Sequence, residues 1–387
     1  MSVFQNNLLA AAASAGGGGY AFYGFSSNTH GEMGLGNTTD YRDVPKDLDI
    51  SDATFVDFGG YCMHYIIGGK LYSVGRNDKG QLGLGNTTDI STAAQVGSDT
   101  DWVRVRSTDN GTVMATKTGG ELFTWGNNES GMLGQDTYGA GTDVCSPVQI
   151  GSLTDWGTNF APLNGHCFSI KEDGTLWGWG RNTGGGAIGD GTSTTRSSPV
   201  QIGSRTDWDL VSGGSRSSLG IISGKLYSWG TGYAGMGGRG NTTDVCSPVQ
   251  VGSDTDWAGF GCIDGLAVIG IKTTGKAYGF GRNNNGQLGL GTTTNMSNPT
   301  QIGSLTDWKV TSGAMSDNAY VFGNSDGDNS WIQKTDGTLW TMGESYSGGT
   351  TLSGAHSSPV QCATITTWTD FAQGRGNPGV KGGRIST

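Results

Sequence analysis

The chain has 387 residues, of which 72 are glycine and only 8 are proline, and its formal net charge is −10. This glycine content is far above the roughly 7% of ordinary proteins, yet it follows neither a collagen period nor a featureless linker. The acidic balance, with no run of Lys or Arg, should repel phosphate backbones and argues against nucleic acid as a partner.

The first nineteen residues differ in composition from the rest of the chain. Their apolar and amide side chains suit an anchor in a neighbouring subunit: Phe4, Asn6, Asn7, Leu8 and Leu9. The segment lacks the positive region and apolar length of a secretory signal, and no later stretch is long enough for a membrane span. We predict an Ala/Gly-rich anchoring arm over 1–19 and one domain over 20–387, with a disordered terminus as the alternative for the arm.

From residue 20 onward one pattern recurs seven times. Each copy has an apolar-aromatic pair closed by Gly, a polar loop rich in Gly and Leu, a Pro-Val-Gln-like strand and a closing Thr-Asp-Trp. A period of about fifty residues marks supersecondary units that bury their faces by stacking. Short runs bounded by Gly suit strands, and turn signals such as Asp173-Gly174 join them into hairpins. Each unit therefore holds four short antiparallel strands, and such sheets repeated radially form a β-propeller.

The polar loops carry a family signature. Residues 75–85 and 281–291 both read Gly-Arg-Asn-x-x-Gly-Gln-Leu-Gly-Leu-Gly. In this the chain resembles the regulator of chromosome condensation repeat family, which implies an all-β, seven-bladed β-propeller of four-stranded antiparallel blades. The founder of that family binds chromatin through a basic tail and acts as a guanine nucleotide exchange factor for a small GTPase. The basic tail has no counterpart here, and no exchange residue can be carried over.

The last units depart from the pattern. The seventh lacks Gln-Leu-Gly, and the sixth has extra residues between Val310 and Trp331. Residues 382–386 look like an eighth copy of the hairpin that begins at Gly69. We therefore expect either the C-terminal strand or residues 20–23 to complete the last blade, with the other displaced to its edge.

Most conspicuous residues recur in several units, which favours structural roles over catalytic ones. The Trp residues of the aromatic strand and of the closing position should pack between blades. The Asp that precedes the closing Trp in five units should make a turn bond or a blade-to-blade ion pair. The six cysteines occupy repeat-equivalent places too far apart for disulfides and are predicted to be reduced thiols. His166 is interpreted as a satisfied core histidine.

We find no enzyme signature and predict a protein that is not an enzyme and has no cofactor or metal. The four histidines lie in different units, and the Gly-rich loops do not precede a helix as phosphate loops do. The segment 324–329, Asn-Ser-Asp-Gly-Asp-Asn, resembles a calcium loop but misses its twelve-residue spacing and closing Glu. A solvated turn is the alternative reading.

The remaining candidates for ligand contact are aromatic residues assigned to loops: Tyr138, Tyr233, Tyr346 and Trp331. Loop tyrosines can stack on sugars, although solvent-covered turn residues are the competing reading.

The leader resembles the Phe-x-Asn-Asn-Leu-Leu beginnings of structural proteins from marine tailed phages. The sequence thus predicts a virion surface component assembled in the host cytoplasm, either a capsid decoration or a tail-associated protein. Its arm would bind other virion proteins, and its propeller would bind a host surface glycan or protein. The alternatives are a cytoplasmic protein-interaction scaffold and an exchange regulator of a small GTPase.

Overall fold

The protein is represented by a computed structural model, and the secondary structure in its described parts consists of 28 β-strands and one 3-10 turn. The described residues are 20–41, 46–263, 266–309, 321–323, 329–344, 355–363, 368–373 and 381–386. They fall into two compact units, one up to residue 158 together with residues from 367 onward, the other spanning 159–366. The chain passes from the first unit to the second within the strand Trp156–Pro162.

The first unit contains three four-stranded antiparallel sheets. The terminal sheet joins both ends of the domain and consists of β1 (Tyr20–Phe25), β2 (Lys46–Asp47), β27 (Trp368–Gln373) and β28 (Lys381–Ser386). Sheet 1 consists of β3 (Phe55–Phe58), β4 (Cys62–Ile67), β5 (Lys70–Gly75) and β6 (Ile90–Gln95). Sheet 2 consists of β7 (Trp102–Ser107), β8 (Thr112–Lys117), β9 (Leu122–Gly126) and β10 (Val144–Gln149).

The second unit holds four further sheets of the same kind. Sheet 3 consists of β11 (Trp156–Pro162), β12 (His166–Lys171), β13 (Leu176–Gly180) and β14 (Arg196–Gln201). Sheet 4 consists of β15 (Leu210–Gly213), β16 (Ser217–Ile222), β17 (Lys225–Gly230) and β18 (Val245–Gln250), with the 3-10 turn at Tyr233–Gly235. Sheet 5 consists of β19 (Trp257–Ile263), β20 (Ala267–Lys272), β21 (Ala277–Gly281) and β22 (Met296–Gln301). Sheet 6 consists of β23 (Val321–Gly323), β24 (Asn329–Gln333), β25 (Leu339–Glu344) and β26 (Ala355–Ala363).

The predicted packing role of the tryptophans is confirmed. Trp125, in the third strand of sheet 2, is fully buried, and its Nε1 donates a 3.0 Å hydrogen bond to the carbonyl of Gln81 in the loop of sheet 1. Its ring meets that of Trp102 edge to face. A buried indole removes about 200 Å² from water, which is worth at most roughly 5 kcal/mol at 25 cal/mol/Å². The repeat therefore stacks its sheets through these rings.

The fourth strand of each complete sheet is an edge strand, which explains most of the prolines. A proline occupies the same position in five of these strands: Pro147, Pro199, Pro248, Pro299 and Pro359. Proline has no N–H to offer a further strand and is tolerated at an edge. The Pro-Val-Gln pattern thus marks the end of each sheet.

The expectation for the chain ends is wrong in one respect. β28 and β1 pair with each other in the middle of the terminal sheet, whose order is β2-β1-β28-β27. Neither end is displaced to an edge. Gly382 and Gly383 are not a hairpin turn but lie inside β28, where Gly383 pairs with Tyr23 on one side and Phe371 on the other. The C-terminal segment therefore supplies the second strand of the last unit and residues 20–25 supply the third.

Candidate functional site

The loop between the third and fourth strands has a common internal structure built on one buried asparagine. In sheet 1, the Asn77 Oδ1 accepts the N–H of Leu82 at 2.9 Å, and its Nδ2 donates to the carbonyls of Asn86 and Thr88 at 3.0 and 3.1 Å. Equivalent asparagines bond in the same manner in other copies: Asn28, Asn128, Asn182 and Asn283. Because the amide is buried and bonded on both sides, it fixes the course of the loop.

A second polar residue closes the same loop. Asp89 accepts the backbone N–H of Asn77 at 2.7 Å, and Asp143 and Asn295 do the same for the loops of sheets 2 and 5. The Asn-Thr-Thr-Asp loop ends are therefore held from within. Their composition follows from this bonding and does not by itself indicate a ligand.

The loop of sheet 4, residues 231–244, is built differently and is the candidate site; we call it the sheet 4 loop. Gly232 stands where the loops of sheets 1, 2, 3 and 5 have the buried asparagine. A Cβ at Gly232 would lie 2.5 Å from the carbonyl carbon of Thr242 and 2.5 Å from the oxygen of Thr243, so the backbone fills the space of the missing amide. Arg239 replaces the lost donor: its Nη2 donates to Thr243 O at 2.6 Å and its Nη1 to Ser228 Oγ at 2.8 Å.

The rebuilt loop presents an aromatic side chain to solvent. Tyr233 begins the 3-10 turn and is 65% exposed. The next residue, Ala234, has φ +56°, a left-handed conformation that costs a non-glycine residue about 1–2 kcal/mol. Strained backbone of this kind is concentrated at functional sites because the surrounding structure must hold it. Tyr233 thus lies on the surface next to a strained residue of the same turn.

A groove of about 450 Å³ adjoins the sheet 4 loop. Its walls combine apolar and polar groups, among them Arg239, Val245, Val249 and Asn298. Val249 is 41% exposed, on the edge strand β18. Burial lowers the pKa of Arg239 and the nearby Asp244 partly opposes this effect. Asp244 itself accepts hydrogen bonds from the N–H of Gly232 and the hydroxyl of Thr231.

The structure places the predicted ligand-contact residues as follows. Tyr233 lies in the sheet 4 loop, and Tyr138, 59% exposed, lies in the loop of sheet 2. Trp331 is not in a loop: it lies in β24 and is only 8% exposed, because the second strand of sheet 6 buries its ring. It is therefore removed from the candidates. Tyr346 and the arm residues Phe4, Asn6, Asn7, Leu8 and Leu9 lie outside the described residues.

Arg239 and Gly232 were not singled out by sequence reasoning. The available signal was the replacement of the asparagine of the Gly-x-Asn pattern by Gly232 in this copy.

The recurring aspartates and His166 have structural roles, as predicted, but the ion pair of Asp256 lies within one sheet and not between blades. In sheet 5 Lys272 pairs with Asp256, which precedes Trp257, at 2.9 Å. The partner thus comes from the second strand of the same sheet. His166 is buried, with Nε2 2.8 Å from Ser218 Oγ. His64 is likewise buried, and burial lowers its pKa.

Two kinds of feature are absent from the described residues. No group of three or more His, Cys, Asp or Glu side chains suited to a metal ion occurs there. Of the acidic segment 324–329 only Asn329 is described, and it begins β24. The same residues include no helix with the length and apolarity to cross a membrane.

Comparison with known sequences identifies the repeats. Residues 68–114, 119–157 and 274–322 match the family model of the regulator of chromosome condensation (RCC1) repeat. Similar curated proteins include the ultraviolet-B receptor UVR8 of Arabidopsis thaliana, 28% identical over 49% of this chain and 44% of that protein. The E3 ubiquitin-protein ligase HERC2 of Mus musculus is 29% identical over 75% of this chain but 6% of its own length. The chain thus spans less than half the length of these relatives.

Solved structures show the fold. Prp20p from Saccharomyces cerevisiae superposes with a TM-score of 0.75 at 18% identity, covering 96% of this chain and 92% of that one. Human WBSCR16 gives the same TM-score at 15% identity, covering 96% and 99%. Three segments of the chain match the RCC1 repeat, and the fold is an RCC1-like β-propeller, as the sequence predicted.

Proposed function

We propose that this chain is a non-catalytic binding module and that a protein partner contacts the sheet 4 loop and its adjoining groove. The observation that carries the proposal is the rebuilding of this one loop around Gly232 and Arg239, which holds Tyr233 on the surface. Places where a copy of a repeat departs from the local rule that most copies keep are expected at functional sites.

The chemistry of the surface favours a protein partner. Tyr and Arg are the residue types most enriched at the energetic centres of protein interfaces. Tyr233 offers a large apolar area with few rotatable bonds, and the groove at Arg239 of the same loop is lined by Val245 and Val249 together with amides. Such a mixture fits side chains of a folded or extended partner. The buried, bonded state of His64 and His166 supports a binding role over acid–base catalysis.

The test compares two tyrosine variants of matched exposure. The immobilised chain is incubated with an extract of its source organism, and retained proteins are identified by mass spectrometry. Tyr233→Ala should lower the affinity for a retained partner about tenfold or more, because truncation of a central aromatic anchor typically costs over 1 kcal/mol. Tyr138→Ala, in the loop of sheet 2, should leave it unchanged. Equal retention by wild type and Tyr233→Ala would refute the proposed surface.

A narrower hypothesis places the chain in a virion, with Phe4, Leu8 and Leu9 anchoring the arm and the propeller facing outward. It rests on the composition of residues 1–19, and the relatives named above are plant and mouse proteins. Mass spectrometry of purified particles decides it, since a virion component must be present at a fixed stoichiometry. Absence from particles would remove this hypothesis and leave the binding proposal intact.

A further inference from the structure

Two arginines in the second unit lie side by side at the loop end of sheets 3 and 4. Arg181 follows β13, and its Nη2 donates to the carbonyls of Asn164 at 2.9 Å and Ser215 at 3.3 Å. Arg216, the residue after Ser215, is exposed. Arg181 thus contacts the backbone directly beside Arg216, and burial lowers the pKa of Arg181, to which repulsion from Arg216 adds.

Neither arginine has an acidic partner among the residues that the structure describes. The hydrogen bonds of the Arg181 side chain go to neutral carbonyl oxygens. The equivalent residue of sheet 1, Arg76, instead pairs with Asp78 at 2.6 Å. Thr183 stands at the position of Asp78 in sheet 3, so the carboxylate that neutralises the arginine is missing there.

Two carboxylates of the loops of sheets 3 and 4 are already engaged. Asp190 pairs with Arg196 at 2.6 Å, and Asp244 accepts bonds within the sheet 4 loop. Two unneutralised guanidinium groups side by side form a local positive field in a chain whose net charge is −10. Such a pair gains stability when an oxyanion lies between the groups, because guanidinium donors match planar carboxylates.

The arginine pair is connected to the proposed binding surface. The carbonyl of Arg216 accepts the N–H of Thr231, the first residue of the sheet 4 loop, at 3.0 Å. The hydroxyl of Thr231 in turn accepts the N–H of Tyr233 at 3.3 Å. Arg216 and Tyr233 thus belong to one hydrogen-bonded end of sheet 4.

We infer that Arg181 and Arg216 bind a carboxylate of an acidic segment on the protein partner, next to the contact made by Tyr233. This inference rests on the proposed function and specifies the partner's chemistry. Polymeric phosphate such as nucleic acid is disfavoured by the net charge of the whole chain, whereas a short acidic segment feels only charges within a Debye length of about 10 Å. Phosphoryl groups on a peptide share the oxyanion chemistry and are separated from carboxylates by the test.

The probe is fluorescein-labelled hexaglutamate, with binding to the full chain followed by fluorescence anisotropy. Hexaglutamate should bind, more weakly as salt is added, and hexaglutamine should not. Arg216→Gln should raise the dissociation constant about fivefold to tenfold because it removes a charge-assisted contact. Arg181→Lys keeps the charge but loses the planar fork and should raise it less. A phosphoserine peptide of equal charge, tested in parallel, should bind no more tightly than hexaglutamate.

The matched control is Arg205→Gln, which removes an exposed arginine of the same unit that Asp207 already neutralises. It should leave hexaglutamate binding unchanged. The inference is overturned if Arg205→Gln lowers the affinity for hexaglutamate as much as Arg216→Gln does, or if Arg216→Gln leaves that affinity unchanged. Tighter binding of the phosphoserine peptide would mean that the arginines recognise a phosphoryl group and not a carboxylate. If hexaglutamate fails to bind while capture of a partner still depends on Tyr233, the acidic-partner inference falls and the binding function stands.

Discussion

Lys272 lies over the indole of Trp257, with its Nζ 5.3 Å from the ring centroid and 2.9 Å from Oδ1 of Asp256. The same arrangement joins Lys117 to Trp102 in sheet 2 and Lys334 to Trp308 in sheet 6. Each lysine is largely buried and leaves the second strand to cover the closing Trp of its own sheet. In the Thr-Asp-Trp segment, the Trp ring is thus covered by a lysine that also forms an ion pair with the Asp; we call this lysine the lysine lid.

Replacing Lys272 with Met should destabilise the protein by about 1 kcal/mol, because the apolar stem is kept while the cation–π contact and the ion pairs to exposed aspartates are lost. Chemical denaturation gives the free energy of unfolding. Lys276→Met is the control, since no ion pair of Lys276 occurs among the described residues. Equal effects of the two variants would mean that the lid contributes nothing beyond a surface lysine.

The lysine lids predict a specific loss of stability at high pH. Although burial opposes the effect, the hydrogen bonds to aspartates raise the pKa of Lys117 and that of Lys272. A raised pKa in the folded state gives stability that is complete below the unfolded pKa of about 10.4 and is lost as pH rises through the folded pKa. The Tm of the wild type should therefore fall more steeply above that pH than the Tm of a Lys117→Met, Lys272→Met double variant. Parallel curves would refute this linkage.

The buried asparagine of the repeated loop can be tested in sheet 5, where an exposed asparagine follows it directly. Asn283→Ala should destabilise the protein by about 2 kcal/mol because it leaves buried backbone groups such as the Leu288 N–H without a partner. Asn284→Ala, at an exposed position, should change stability by less than about 0.5 kcal/mol. Thermal unfolding of both variants gives the comparison, and a stable Asn283→Ala variant would contradict the role assigned to the amide.

Gly232 is predicted to be intolerant of any side chain although its φ of −92° is ordinary. Gly232→Ala should destabilise the protein by about 1–3 kcal/mol, since the added methyl group would overlap the Thr242–Thr243 backbone. The same variant should weaken partner binding by displacing Tyr233. Ala140→Gly, a substitution at an exposed position in the loop of sheet 2, is the control and should leave partner binding unchanged. Unchanged stability of Gly232→Ala would show that the loop relaxes freely.

The cysteines should differ in reactivity. Burial, together with the charge of Asp57, raises the pKa of Cys62 to about 12, and burial also raises the pKa of Cys167. Cys145 and Cys246 are only partly buried free thiols. Native protein treated with iodoacetamide near neutral pH should be alkylated at Cys145 and Cys246, while Cys62 and Cys167 should react only after denaturant is added. Peptide mass spectrometry reads each site, and early labelling of Cys167 would contradict the buried assignment.

The sequence by itself determined the sheet type, the number of units and the packing role of the tryptophans. These features follow from short-range patterns that repeat, so that each copy checks the others. Only the tertiary structure decided which end of the chain supplies which strand of the terminal sheet. In the sequence, the pair Gly382-Gly383 is compatible both with a hairpin turn and with a central strand. It alone placed Trp331 in a buried strand, since burial depends on neighbours distant in the chain. It alone related Arg239 to the asparagine missing at Gly232, and Arg181 to Arg216, because these residues meet through folding and not through spacing.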